Sequence, residues 1–334
     1  MSGGVDSSVA ASLLLERGFQ CAAAHLALFD GAGEAESARA AAARLGIPLH
    51  VFDMSQLFER EVIARFTQSY LRGETPNPCV ICNRHIKFGA LLDKAAELGC
   101  NALATGHYAR LESLNNRWLL RKAADPTKDQ SYVLYTLTQS QLARIYFPLG
   151  GMTKAQVREY ARLKNFPNAQ KSESQDICFI PDGDYVAFLE RYTGQPLCPG
   201  DFIDPQGRVL GKHRGTPCYT LGQRKGLGLA LPQPGYVCGI DPSANTVTVG
   251  EEALLFGKTL RARGINLIAC DALTQPLRCK AKIRYRQTEQ WATAEQPDAD
   301  TLLLTFDEPQ RAITPGQAVV LYDGDYVVGG GTIC

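Results

Sequence analysis

Two cysteines three positions apart, Cys79 and Cys82, stand in TPNPCVICNRHIKF, residues 75–88, behind Pro76 and Pro78. A thiol pair at that spacing can bind a metal, cycle as a redox couple, ligate an iron–sulfur cluster or pack as two small apolar side chains. Zinc fits poorly: Cys79, Cys82 and His85 give three ligands, and no second CxxC or HxxxH supplies a fourth. A second signal opens the chain, where Ser2-Gly3-Gly4-Val5-Asp6-Ser7-Ser8 runs into a helical pattern. Two glycines let backbone N–H groups approach an anion, serine hydroxyls add donors, and a helix N-terminus adds the positive end of a dipole. The loop lacks the lysine of GxxxxGK[ST], so holding pyrophosphate as a leaving group in nucleotidyl transfer suits it better than phosphoryl transfer. An isolated Gly-Gly turn with an Asp or Ser cap is the plainer alternative.

A third signal is LRCKAKIRYRQ, in which Arg278, Lys280, Lys282, Arg284 and Arg286 fall at every second position. On a strand they share one face, with Cys279, Ala281, Ile283 and Tyr285 on the other. Five cations in a row suit a phosphate backbone; a solvated strand that blocks edge pairing is the plainer reading.

The elements that must position these groups alternate. A helix is expected over 5–17, with Asp6 or Ser7 as cap, Val9, Leu13 and Leu14 on one face and Gly18 as its end. Strands at 21–29, 47–52 and 101–109 then alternate with helices at 34–45, 56–71 and 86–98, with the cysteine segment as a loop between the last two. That alternation predicts a doubly wound parallel sheet. Asn115-Asn116 marks a turn, after which SQLARIYF and MTKAQVREYARLKNF read as helices, the second capped by Thr153. From about 181 to 254 Gly- and Pro-rich text predicts a small domain of short strands, and from 255 to 334 alternating segments predict a small β-barrel. The organisation expected is therefore 1–180, 181–254 and 255–334.

Composition sets outer limits. The chain has 334 residues, enough for two or three domains, and 45% hydrophobic content, enough for real cores. A formal net charge of +1 means that a nucleic-acid partner must be held by a local patch. Apolar runs are too short to span a membrane and no signal peptide is legible, which predicts a cytoplasmic protein. Eleven cysteines scattered over a long chain do not make a secreted disulfide framework.

The opening loop resembles the pyrophosphate loop of the ATP pyrophosphatase superfamily. There the loop follows a first strand; here only Met1 precedes it, so the natural chain is expected to start upstream with Met1 internal. SGGVDSS, TPNPCVICNRHIKF, ATGHYAR, KDQSYVLY, SQDICFI, LGQRKGLG, KIRYRQ and ITPGQAVVLY occur in this order. Together they resemble the bacterial tRNA-specific 2-thiouridylase family over nearly the whole chain. The resemblance implies replacement of oxygen by sulfur at carbon 2 of the wobble uridine in tRNAs for Lys, Glu and Gln, using ATP and Mg2+. It places ATP contacts at Met1, Ser2, Gly3, Gly4, Val5, Asp6, Ser7, Leu26 and Gly106, and target-base contacts at Asn77, Pro78 and Cys79. It places tRNA contacts at His107, Lys128, Asp129, Gln130, Arg284, Tyr285 and Gln317. Cys178 corresponds to a persulfide carrier and Cys82 to the nucleophile that closes a disulfide with it, the sulfur coming from a cysteine desulfurase or a sulfur-carrier protein. Many members have aspartate where Cys79 stands. That departure leaves two routes open: the persulfide route with Cys79 a bystander, or an iron–sulfur cluster on Cys79, Cys82 and Cys178 whose open iron binds sulfide. Another pyrophosphate-loop ligase and a non-catalytic tRNA- or metal-binding protein are the rival readings.

Overall fold

The computed structural model describes residues 1, 3–29, 32–166, 168–169 and 177–334. Val5–Glu16 form a helix directly after Gly3, whose φ is +67°, and Gly4, which is the N-cap without a side-chain bond. The cap expected at Asp6 or Ser7 is thereby corrected: both residues lie inside the helix, and Asp6 occupies its first turn, where a carboxylate suits the dipole. Val9 and Leu14 are buried and Gly18, at φ +83°, ends the helix as its sequence predicts.

Strands β1 (Ala23–Ala27) and β2 (Leu49–Asp53) pair in parallel across the helix Ala32–Leu45. A second parallel pair joins β3 (Leu103–Ala104) to β6 (Ile145–Tyr146). Two expectations change here. The strand expected over 101–109 shrinks to β3, because the chain turns away at Gly106 to meet the opening loop; SQLARIYF is helical only over Gln139–Leu142 before it enters β6. Lys154–Leu163 is the helix expected, opened by a capping box in which Thr153 and Gln156 satisfy each other's backbone N–H groups.

The cysteine segment is not a loop. Pro78–Cys82 is the first turn of a helix, with Asn77 as N-cap accepting from the Cys79 N–H at 3.1 Å and proline at the position where its missing N–H costs nothing. The helix continues as a π-helical stretch, Asn83–Ala90, and then Leu91–Glu97. The preceding helix has the same construction: Ser55–Phe58, a π-helical stretch Glu59–Ile63, then Ala64–Leu71. Phe58, Phe66, Val80, Cys82, Ile86 and Phe88 from the two helices are buried in one apolar cluster.

Strands β4 (Arg110–Leu114) and β5 (Arg117–Arg121) form a hairpin on Asn115-Asn116, both with positive φ, as a tight hairpin turn requires. The helix Tyr185–Thr193 leads to a four-stranded sheet of β7 (Gly200–Ile203), β8 (Val209–His213), β9 (Tyr236–Asp241) and β10 (Thr246–Gly250), packed on Phe202, Tyr219 and Val237. The last six strands are β11 (Phe256–Leu267), β12 (Leu277–Lys282), β13 (Gln290–Asp298), β14 (Thr301–Arg311), β15 (Ala318–Asp323) and β16 (Tyr326–Ile333). They run in the order β11-β14-β13-β12-β15-β16, and β11 pairs with β16 to close a barrel. The β4–β5 hairpin attaches to β16. Tyr132 and Tyr135 share their core with Ala318, Val320 and Tyr322, so the nucleotide-type unit and the barrel are packed as one body.

The basic strand is shorter than its pattern. β12 stops at Lys282, leaving Arg278, Lys280 and Lys282 on the outer face and Cys279 and Ala281 buried; Arg284, Tyr285 and Arg286 lie in the turn beyond. Tyr285, expected on the inner face, is 37% exposed because the strand register no longer applies there.

Candidate active site

The opening loop and ATGHYAR, distant in sequence, meet. A Cβ on Gly106 would lie 2.8 Å from the Asp6 carbonyl carbon and 2.9 Å from the Ser7 nitrogen, so only glycine allows this approach. Two neighbours tie Asp6 down: the Lys154 ammonium at 2.8 Å from both carboxylate oxygens and the Tyr108 hydroxyl at 2.8 Å. Lys154 is buried, and its backbone N–H donates to Asp125. Asn168 donates to the Gly3 carbonyl at 3.0 Å and to the Ser8 hydroxyl at 3.1 Å. Its buried Oδ1 has no partner among the described residues. Leu26 stands half-buried on β1, beside His25, whose Nδ1 bonds the Met1 carbonyl at 3.0 Å. Ser2 lies outside the described residues. A backbone cradle that excludes a Cβ, at a helix N-terminus and next to a buried lysine, fits a nucleotide polyphosphate. Lys154, Tyr108 and Asn168 escape sequence reading. The one available signal was Lys154 itself: a lysine right after the cap Thr153 opposes the helix dipole and so has another use.

At the thiol end Cys79 is exposed and Cys82 is 8% exposed, turned into the apolar cluster. Desolvation pushes both thiols up from their ordinary pKa; Lys87 opposes this at each, and Cys79 adds to it at Cys82. Residues five apart come onto one side where a helix is hydrogen-bonded i to i+5, and the π-helical stretch thus carries half-buried Lys87 round towards Cys82. Lys87 is a further residue that sequence reading missed. Its ammonium also acts on His107, whose pKa burial lowers most; the imidazole is neutral, bonded to Thr105 Oγ1 at 2.8 Å and flanked by Phe88 and Phe147.

Cys178 is exposed, while its neighbour Phe179 is buried against Phe58 and Phe66 in the cluster that also contains Cys82. No three His, Cys, Asp or Glu side chains among the described residues form a group able to hold a metal. Cys79, Cys82 and Cys178 therefore do not fit a cluster site in this structure, and no step is derived through one.

The remaining positions fall into two sets. Asp129 accepts from the Ala123 and Ser131 N–H groups and the Ser131 hydroxyl, and Gln130 Oε1 accepts from Tyr108 N–H at 2.9 Å; these side chains shape the turn beside His107 and half-buried Lys128. Gln317 Nε2 donates to the Thr75 carbonyl at 2.7 Å, and Thr75 N–H donates to the Pro315 carbonyl at 2.8 Å. The barrel thus grips the segment leading into Asn77, Pro78 and Cys79. Arg284 donates to the Ala312 carbonyl and the Thr314 hydroxyl, each at 2.9 Å, its pKa lowered chiefly by burial. Tyr285 stands exposed nearby, its ring 5.9 Å from that of Tyr132. Arg278 pairs with Asp307 at 2.7 Å, and Arg278 and Lys280 lie over Trp291.

An α/β unit whose opening loop lacks a GK[ST] lysine, joined through a small sheet to a closed β-barrel, defines an ATP pyrophosphatase domain followed by a C-terminal barrel. Family profiles agree along the chain: "tRNA methyl transferase HUP domain" over residues 1–182, "tRNA methyl transferase PRC-barrel domain" over 186–251 and "Aminomethyltransferase beta-barrel domain" over 257–333. The tRNA-specific 2-thiouridylase MnmA of Moorella thermoacetica is 51% identical over 348 residues, covering 100% of this chain and 98% of the relative. That of Carboxydothermus hydrogenoformans is 49% identical over 349 residues, covering 100% and 96%. The chain belongs to the tRNA-specific 2-thiouridylase family.

Proposed function

We propose that this chain catalyses ATP-dependent 2-thiolation of the wobble uridine in tRNAs for Lys, Glu and Gln, in the cytoplasm, with sulfur delivered by a cysteine desulfurase or a sulfur carrier. The observation that carries this reading is the meeting of Gly106 with the Asp6–Ser7 backbone in a chain whose barrel also grips the approach to Cys79 and Cys82. Among the described residues no helix is long and apolar enough to cross a membrane. The division into 1–180, 181–254 and 255–334 gives each step a body: activation, linkage and tRNA contact.

A uracil carbonyl oxygen leaves poorly, and ATP with Mg2+ supplies the remedy by making that oxygen part of an AMP leaving group as pyrophosphate departs. The loop N–H groups hold the phosphates; Lys154 and Tyr108 keep Asp6 in place behind them. Asn77 and Pro78, at a rigid capped helix start, receive the flipped base. Cys178, exposed, accepts the incoming sulfur as a persulfide. The Cys82 thiolate attacks the inner sulfur of that persulfide, forming a Cys82–Cys178 disulfide and expelling hydrosulfide, which adds to carbon 2 as AMP leaves. An external dithiol then restores both thiols by two-electron exchange. Lys87 supports the thiolate, and neutral His107 fills the wall beside it.

The test is 2-thiouridine formation from unmodified tRNA, ATP, Mg2+ and a persulfide donor, read by nucleoside mass spectrometry on metal-free protein. Product is expected; dependence on added iron would replace the persulfide route, and ATP–pyrophosphate exchange indifferent to tRNA would replace the substrate.

A further inference from the structure

Beside Asn77 a cleft of about 620 Å3 opens between the helix ending at Leu71 and the barrel. Arg60, Arg65, Gln68, Ser69 and Arg72 line one wall. Arg60 and Arg65 are five positions apart across the π-helical stretch, and the later members follow at α-helical spacing, so the three guanidinium groups fall in one row. Val80 and Ile81, next to Asn77, add apolar lining, and Gly316, Ala318 and Thr332 of the barrel also line the cleft. A volume of this size, lined by arginines and by apolar side chains, suits one nucleotide.

The charge is available. Arg60 and Arg65 share the single carboxylate of Glu61, at 2.9 and 2.6 Å, and Arg72 pairs with Glu74 at 3.0 Å. Two carboxylates for three guanidinium groups leave an excess cation. The arginine side chains are 53–67% exposed, against 15% for Glu61 and 32% for Glu74, so the guanidinium ends face solvent, where a phosphate can reach them.

We propose that this cleft is a second RNA subsite: it takes an unpaired nucleotide flanking the uridine held at Asn77–Cys79, with its phosphates on Arg60, Arg65 and Arg72 and its base on Val80 and Ile81. The inference rests on the thiolation reading and deepens it. The flanking nucleotide anchors the strand at the point where the target base leaves the stack, so binding there stabilises the flipped state. The barrel wall makes the subsite a product of docking between the two bodies, since neither alone encloses it.

The experiment compares wild type with the Arg60→Ala/Arg65→Ala/Arg72→Ala variant on an anticodon stem–loop RNA, with affinity followed by fluorescence anisotropy against salt. Loss of three phosphate contacts is expected to reduce the slope of log affinity against log salt by about 2, with at least a roughly tenfold weaker Kd at low salt. An RNA made abasic next to the wobble position is expected to lose affinity for wild type and to lose little more for the variant. Equal slopes and affinities in the two proteins overturn the subsite. So does a variant that binds RNA normally yet no longer accepts sulfur from a desulfurase, which would make the row a protein dock. Wild type that binds no stem–loop at all would instead remove the thiolation reading itself. The variant's melting temperature checks that all three exposed substitutions leave the fold intact.

Discussion

The two ends of the candidate active site are built in opposite ways. At the nucleotide end backbone meets backbone: Gly106 against Asp6 and Ser7, with Asp6 held by Lys154 and Tyr108. At the sulfur end thiols and an imidazole sit in apolar surroundings that disfavour charge on any of them, and one lysine works against that. The nucleotide end is organised before its ligand arrives, which suits a reaction whose catalysis is mostly positioning. The sulfur end withholds reactivity until a substrate or a sulfur donor completes it, which suits a thiol that must not react with the wrong partner.

The largest effect should come from removing the sulfur chemistry outright. Cys82→Ser and Cys178→Ser are each expected to lower thiolation by about a thousandfold or more while ATP and tRNA affinities stay within about twofold, because a hydroxyl neither carries nor attacks a persulfide. Cys79→Ser is expected to retain most activity. Loss as deep as that of Cys82→Ser, measured by nucleoside mass spectrometry, would give Cys79 an essential role and break the assignment of the working pair.

Next comes the nucleotide end. Gly106→Ala places a methyl group 2.8 Å from the Asp6 carbonyl carbon, so either the opening loop or the segment around Gly106 must shift. A misplacement of about 1 Å can cost roughly a hundredfold in rate, and ATP KM is expected to rise by about tenfold or more with tRNA affinity unchanged. An unchanged ATP KM would mean that the loop is adjustable, and the contrast between the two ends would fail.

That contrast also explains what could be read in advance. Alternation of strands and helices, the Gly-Gly loop, the Thr153 cap and the final barrel were legible because each rests on local chemistry: period, φ or capping. The cysteine helix was misread as a loop because prolines and asparagine signal a turn and a helix start equally well. Asn77 and Pro78 are in fact N-cap and first residue. Lys154 and Lys87 were illegible as site residues, since one acts across 148 residues of sequence and the other through π-helical winding that sequence period does not report. The basic stripe was read too long because alternation continues in the letters after the backbone turns at Ile283.

A smaller effect should separate Lys87 from its surroundings. Lys87→Met removes the positive charge that, among the described residues, favours thiolate at Cys79 and Cys82, so both thiols should titrate higher and alkylate more slowly at neutral pH. Thiolation is expected to fall about tenfold near pH 7 and to recover in part at higher pH. Lys87→Arg should restore the wild-type profile. A uniform loss at every pH, not relieved by arginine, would make Lys87 structural.

The smallest effect concerns the neutral histidine. His107 is held well below its ordinary pKa by burial and by Lys87, while the unfolded chain takes up a proton near pH 6.5. The group is neutral in both states above that value and contributes nothing to the pH dependence there. As pH falls below it the unfolded chain binds a proton that the native chain refuses, so stability falls, with a slope of at most about 1.4 kcal/mol per pH unit for this one group. His85 and His213, also lowered, act in the same direction. Urea unfolding between pH 7.5 and 5 should therefore show declining stability that is shallower in His107→Gln. If the variant's slope equals that of wild type, the imidazole is already charged in the native protein, and the sulfur end is more polar than its packing implies.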